Sequence, residues 1–254
     1  MARLRSFVLA LLLGSAPLCA LTAAAPADVA AATALPSRSA DNVKLDESRK
    51  PAELLKFLGL EQGMTVLDMF GGNRYWAEIT APAVGANGKV LVWEPTQFYD
   101  EKAKAAFDVF AAKTPNVSIV ASPFETPELP TNFADFMLIN LDYHDVYWEN
   151  AKFGVKHMEP TAFLQKVYAA MKPGGIVGVV DHVAAAGGDT RAIVDKVHRI
   201  DPAVVKADFE RAGFVLEAQS DMYRNAADDH SLLVFDPKIR GKTDRFVYKF
   251  RKPR

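Results

Sequence analysis

The stretch Val66-Leu67-Asp68-Met69-Phe70-Gly71-Gly72-Asn73-Arg74-Tyr75-Trp76 ends an apolar run in a carboxylate and follows it with a glycine pair before a helical segment. That arrangement lets backbone approach a ligand at the C-terminal end of a strand, where open α/β sheets bind their ligands. Taken alone, a Gly-Gly pair is more simply a tight strand-to-helix turn. A second carboxylate shifts the balance, because Val90-Leu91-Val92-Trp93-Glu94 is another apolar run ending in an acid, 26 residues after Asp68. An acid at that place can accept hydrogen bonds from both hydroxyls of a ribose. Asp68, Gly71, Gly72 and Glu94 together point to a nucleoside-containing ligand.

Four of the five histidines have an aspartate close by: His144-Asp145, Asp181-His182, His198 with Asp201, and Asp229-His230. Asp145 and Asp181-His182 fall at or just beyond the ends of two further apolar runs, on the same rim as Asp68 and Glu94. A histidine there can act as general base on a hydroxyl or amine, with an aspartate orienting its ring. His144, Asp145 and His182 are therefore the candidate catalytic residues. A fixed hydrogen bond that orders a loop is the equal alternative for His144 and His182 and the leading reading for His157 and His230. His198, before Arg199-Ile200-Asp201, reads as part of a cap ahead of a helix starting at Pro202. His, Asp and Asn also suit divalent cations, but no two histidines share a helical face, and no metal is expected. Tyr143, Tyr147 and Trp148 are placed to line an acceptor pocket or surround a cation, with packing beneath a lid as the alternative.

These residues need a scaffold, and the pattern supplies one. Pro51 to Leu60 has leucines at helical spacing. Short β-branched runs then alternate with helical segments: a strand over 65–69, a helix around 75–84, a strand over 89–93, a helix around 100–112, and a strand over 117–121. A strand over 136–141, a helix over 160–171 and a strand over 176–180 continue the series. Such runs fit strands buried on both faces of a parallel sheet. The alternation predicts an α/β, Rossmann-like, doubly wound, mostly parallel seven-stranded sheet. A helix over 202–212 and strands over 215–219, 232–235 and 245–250 predict an antiparallel C-terminal edge.

With the glycine loop, the strand-end acids and the element order in place, the sequence resembles the class I S-adenosylmethionine (SAM) methyltransferases, and more closely a bacterial group of exported predicted methyltransferases. The resemblance spans roughly residues 51–254. It rests on Asp68 to Glu78, Asn140 to Asp145, Lys172-Pro173-Gly174-Gly175, and the tail Ile239-Arg240-Gly241-Lys242-Thr243-Asp244-Arg245-Phe246. It implies SAM as cofactor, with Asp68, Gly71 and Gly72 around the methionine part and Glu94 on the ribose. It further implies Ser122 to Phe124 near the adenine, and Asn140 to His144 beside the reacting centre. Phe70 and Arg74 stand where the superfamily's pattern has glycines, and Ser122 stands where an aspartate is common.

Composition bounds the remaining options. The 254 residues are 50% hydrophobic, enough for one full core. With 30 basic and 31 acidic residues the formal charge is -1, which gives no general attraction to nucleic acid. Arg3 and Arg5, an apolar stretch over 7–13 and small residues over 14–27 have the layout of a secretory signal. We expect a signal peptide over 1–27, a linker over 28–50 that finishes in a short helix, and a domain over 51–254. The expected location is therefore periplasmic or secreted. Cleavage would remove Cys19, the single cysteine; lipid anchoring through Cys19 ranks lower because bulky Leu18 precedes it. No transmembrane helix is expected in the mature chain, and no protein partner is identifiable. The leading activity is methyl transfer to a small-molecule or envelope acceptor. A non-catalytic protein binding another nucleoside or small ligand in the same crevice is the alternative. A hydrolase ranks last, since no Gly-x-Ser-x-Gly elbow occurs.

Overall fold

The computed structural model describes residues 24–254. Seven strands form one sheet: β1 (Thr65–Met69), β2 (Lys89–Pro95), β3 (Val117–Ser122), β4 (Ala134–Asn140), β5 (Met171–His182), β6 (Val215–Ser220) and β7 (Arg245–Arg251). Their spatial order is β3-β2-β1-β4-β5-β7-β6. The first five pair in parallel, and β7 is antiparallel to both β5 and β6. This is the expected doubly wound architecture with its antiparallel edge. The order reverses at β1, so the crevice beside the β1 and β4 ends is the place where such a sheet offers a ligand site.

Successive residues of the parallel strands serve opposite faces. Leu67, Met69, Leu91 and Trp93 join one buried cluster, and Val66, Val90 and Val92 the other. The alternation follows the two-residue period of a strand, and helices cover both faces. On one face lie α4 (Pro51–Leu58) and α5 (Ala77–Val84), with Leu54, Leu55 and Leu58 of α4 fully buried. Each such leucine contributes about 1.5–3 kcal/mol. On the other lie α7 (Pro160–Ala170), through Phe163, Leu164 and Val167, and α9 (Pro202–Arg211), through Val205 and Phe209. Asp201 caps α9 by accepting the Ala203 N–H, as its position before Pro202 suggested. The helix α6 (Glu101–Ala111) follows β2.

Three features differ from expectation. Residues 28–50 are more than a linker: α1 (Val29–Thr33), α2 (Ala40–Val43) and α3 (Asp46–Arg49) lie against the domain. Val29 and Ala32 are buried, and the Tyr75 hydroxyl donates to Asp46 Oδ1 at 2.8 Å. Residues 232–235 form no strand; the Val234 N–H bonds the Val197 carbonyl and the Arg199 Nε bonds the Leu232 carbonyl. A helix unforeseen from sequence, α8 (Thr190–Val197), precedes His198. The proposed signal sequence and Cys19 lie outside the described residues except for the last few positions of 1–27. Among the described residues no helix is long and apolar enough to cross a membrane.

Candidate functional site

The loop after β1 carries side chains on a backbone path suited to glycine. Phe70 and Arg74 have φ of 58° and 65°, left-handed conformations that cost an ordinary residue roughly 1–2 kcal/mol. These are the two positions where the resemblance in sequence leads one to expect glycine. Gly71 and Gly72 are required by contact. A Cβ on Gly71 would lie 2.5 Å from Asp68 Oδ2, and one on Gly72 would lie 2.6 Å from Glu94 Cδ.

Both strand-end acids are held close under this loop. Glu94 Oε2 accepts the Gly72 N–H at 2.8 Å. Burial nevertheless pushes the Glu94 carboxyl up to about 7, against that hydrogen bond. Asp68 is 1% exposed, and among the described residues neither of its carboxylate oxygens has a hydrogen-bond partner of normal geometry. Burial first, and the Glu94 charge second, push it up to about 8. A buried carboxyl without a donor is unfavourable in either protonation state. A cationic or hydroxyl-bearing ligand would relieve that cost.

Beyond β4 and β5 the histidines converge. A short 3-10 helix over Tyr143–Tyr147 carries His144 and Asp145, and the hydroxyls of Tyr143 and Tyr147 both donate to Asp208 of α9. Asp181, at the end of β5 and fully buried, accepts the His144 backbone N–H on Oδ2 and bonds the His144 ring at Nδ1 through Oδ1, both at 2.8 Å. Burial disfavours a charged His144 ring, but the charges of Asp181 and Asp145 outweigh it and raise the ring to about 9. His182 goes the other way. Burial, reinforced by His144, Arg245 and Arg199, holds it well below the usual histidine range, while its Nδ1 lies 2.7 Å from the Thr243 hydroxyl. Asp145 Oδ1 is buried without a hydrogen-bond partner, with His144 Nε2 and His198 Nδ1 each 3.4 Å away.

A cavity of about 370 Å³ opens over this rim. It is lined by Phe70, Asn140, Asp142, His144, Asp145 and His182, and also by Arg49 of α3 and by Arg240, Thr243 and Arg245. The sequence-predicted site thus divides. Asn140, His144, Asp145 and His182 share the cavity, whereas Asp68, Gly71, Gly72 and Glu94 form the adjoining loop site. Ser122 and Phe124 lie to the far side. The Ser122 hydroxyl oxygen already accepts hydrogen bonds from Trp93 Nε1 and the Glu128 N–H, at 2.8 and 2.9 Å. The Phe124 ring meets Phe70 edge-on with centroids 5.4 Å apart, and Phe70 also meets Trp93 at 5.0 Å.

Sequence reasoning missed the arginines that line the cavity. Arg49 fell in the supposed linker, and Arg240 to Arg245 were noted as a distinctive tail without a place in the site. His157 and His230 do order loops, through Glu149 and Glu159 and through Asp244 respectively.

No family model matches the chain, and no curated protein matches it in sequence. Solved structures with the same fold are numerous. A SAM-dependent methyltransferase from Aquifex aeolicus superposes with a TM-score of 0.56 at 21% identity, over 84% of this chain and 100% of that one. An S-adenosylmethionine-dependent methyltransferase from Mesorhizobium loti gives 0.56 at 16% identity, over 82% and 99%. The Burkholderia thailandensis 1,6-didemethyltoxoflavin-N1-methyltransferase, with bound 1,6-didemethyltoxoflavin and S-adenosylhomocysteine, gives 0.53 at 16% identity, over 84% and 80%. These likenesses establish the fold of the chain.

Proposed function

We propose that this protein is a SAM-dependent methyltransferase acting on a small-molecule or envelope acceptor. The observation that carries the reading is the pair of buried acids under the Gly71-Gly72 turn, at the reversal point of a sheet shared with SAM-dependent methyltransferases. The residues present fit the cofactor. Asp68 offers two buried oxygens that have no hydrogen-bond partner of normal geometry among the described residues, which would suit the ammonium of its methionine part. Gly71 and Gly72 let the loop backbone pack directly against Asp68 and Glu94, and Glu94, at the end of β2, would accept from ribose hydroxyls.

When bound, SAM supplies a methyl group made electrophilic by its sulfonium. The chain's own contribution is largely positioning, which suffices for much of the rate when reacting atoms are held in line. Asn140 and Asp142 border the space where an acceptor would lie, with Arg49 and Arg245 lining the same cavity. His182 lines the same cavity and is the candidate to take a proton from an acceptor hydroxyl or amine, although burial and the nearby Arg245 and Arg199 disfavour its protonated ring. His144, fixed at both its backbone and ring by Asp181, supports that wall.

The alternative, a non-catalytic protein binding another nucleoside or small ligand, draws on one observation. The Phe70 ring packs against Trp93 and Phe124 beside the ends of β2 and β3, on the side where an adenine would be received. The fold itself does not separate the two readings.

Thermal unfolding with added S-adenosylhomocysteine tests the proposal. A ligand at 100 times its dissociation constant stabilises by about 2.7 kcal/mol, and the midpoint rises accordingly. An unmoved midpoint with S-adenosylhomocysteine, together with a raised one for another nucleoside, would favour the alternative. We further propose export through a cleaved N-terminal signal, tested by the N-terminal sequence of the protein recovered from a periplasmic extract. An intact Met1 in that fraction, or recovery only from the cytoplasm, would reject it.

A further inference from the structure

We propose that His144, Asp145 and His198 bind a divalent first-row transition-metal ion, with Zn²⁺ as its type, through Nε2, Oδ1 and Nδ1 respectively. These three atoms lie within 4.8 Å of one another. They come from separate elements, the 3-10 helix after β4 and the C-terminal end of α8, which is why no ligand spacing shows in the sequence.

The geometry is that of a metal-binding set. Asp145 Oδ1 is buried and has no hydrogen-bond partner, yet two imidazole nitrogens stand 3.4 Å from it. That is long for a hydrogen bond. It matches the separation of neighbouring donors around a tetrahedral ion, since bonds of about 2.0–2.2 Å at tetrahedral angles set them about 3.4 Å apart. The far nitrogen of His144 is bound to Asp181 Oδ1 at 2.8 Å. A carboxylate holding the outer ring nitrogen, so that the inner one presents its lone pair, is the usual support of a metal-ligating histidine. With His144 in that tautomer and His198 presenting Nδ1 as an acceptor, three acceptors face one another and a metal ion fits between them.

Two imidazoles and one carboxylate suit Zn²⁺ and its neighbours better than Mg²⁺ or Ca²⁺, which prefer all-oxygen shells. His144 and Asp145 also line the 370 Å³ cavity, so an ion held by three protein ligands would keep its remaining position toward that space. This is the arrangement of a catalytic rather than a structural zinc site. The inference concerns these side chains alone and stands whether or not the protein binds SAM.

The test is competition titration of the untagged, chelator-stripped full chain with Zn²⁺ against a chromophoric chelator, with Co²⁺ absorption recorded in parallel. One Zn²⁺ per chain is expected, with a Co²⁺ ligand-field spectrum of the low-coordinate kind. His198→Ala and Asp145→Asn should each weaken Zn²⁺ binding by at least the ~10–100-fold typical of losing an outer support, because each removes a ligand itself. Asp181→Asn should weaken it within that ~10–100-fold range while keeping all three ligands. Circular dichroism confirms the fold of each variant, and the Co²⁺ spectrum of the wild type needs no variant. Absence of stoichiometric Zn²⁺ binding and of a Co²⁺ spectrum in the wild type would overturn the proposal. Binding unchanged in His198→Ala, or displaced by equimolar Mg²⁺, would overturn it as well.

Discussion

The Gly72 N–H donates to Glu94 Oε2 at 2.8 Å, joining the loop after β1 to the end of β2 across the mouth of the proposed cofactor site. The contact leaves no room for a side chain. Gly72→Ala would bring a Cβ to 2.6 Å from Glu94 Cδ, and overpacking of this kind costs about 1–3 kcal/mol. Denaturant unfolding should show that loss, and calorimetry should show SAM affinity falling about tenfold or more, the equivalent of about 1.4 kcal/mol.

Asp68 makes stability depend on pH. Its carboxyl is raised from 3.8 to about 8 in the fold, so the native state binds this proton more tightly than the unfolded chain. The favourable contribution is complete below the unfolded value and is lost as pH rises toward the folded one. Asp68→Asn should therefore be more stable than wild type near pH 8 by on the order of a few kcal/mol, with the gap closing toward pH 4. Thermal midpoints of both proteins across that window check the sign.

Arg74 occupies a left-handed position, with φ of 65°. A glycine avoids the Cβ contact that makes this conformation unfavourable, whereas alanine keeps it. Arg74→Gly should exceed Arg74→Ala in stability by about 1 kcal/mol. The comparison is read from urea midpoints at equal slope, and equal midpoints would show that the loop relaxes out of this conformation.

Asp208 anchors the segment that carries His144. Tyr143 and Tyr147 both donate to it, and it is 5% exposed. Asp208→Ala leaves two tyrosine hydroxyls without their acceptor and should cost about 2–4 kcal/mol. Proton resonances of the His144 ring should broaden or shift in the variant, because the 3-10 helix over Tyr143–Tyr147 loses its tie to α9.

Much of this architecture is legible in the sequence because β-branched apolar runs buried on both faces have few other uses. The Thr65–Met69 strand and the Pro160 start of α7 are read at their observed positions. The docked helices of residues 28–50 are not legible, since elements of four or five residues owe their stability to tertiary contact rather than to propensity. Val29 against the core and Asp46 under Tyr75 supply that contact. Leu232 to Phe235 has strand composition, but the Arg199 side chain takes the Leu232 carbonyl and the segment pairs with no strand. The site divides in the same way. Acids and glycines adjacent in sequence announce the loop, while the meeting of His198 with Asp145 depends on how α8 packs against the Tyr143–Tyr147 turn. No local pattern records that approach.

Calorimetric titration of the purified chain with SAM and S-adenosylhomocysteine, repeated with Asp68→Ala and Glu94→Ala, tests the central claim most directly. The account predicts one site per chain for each ligand, weakened by both substitutions, with Glu94→Ala also losing discrimination against an analogue lacking the ribose hydroxyls. Absence of heat from the wild type at millimolar ligand, or binding indifferent to both substitutions, would contradict it.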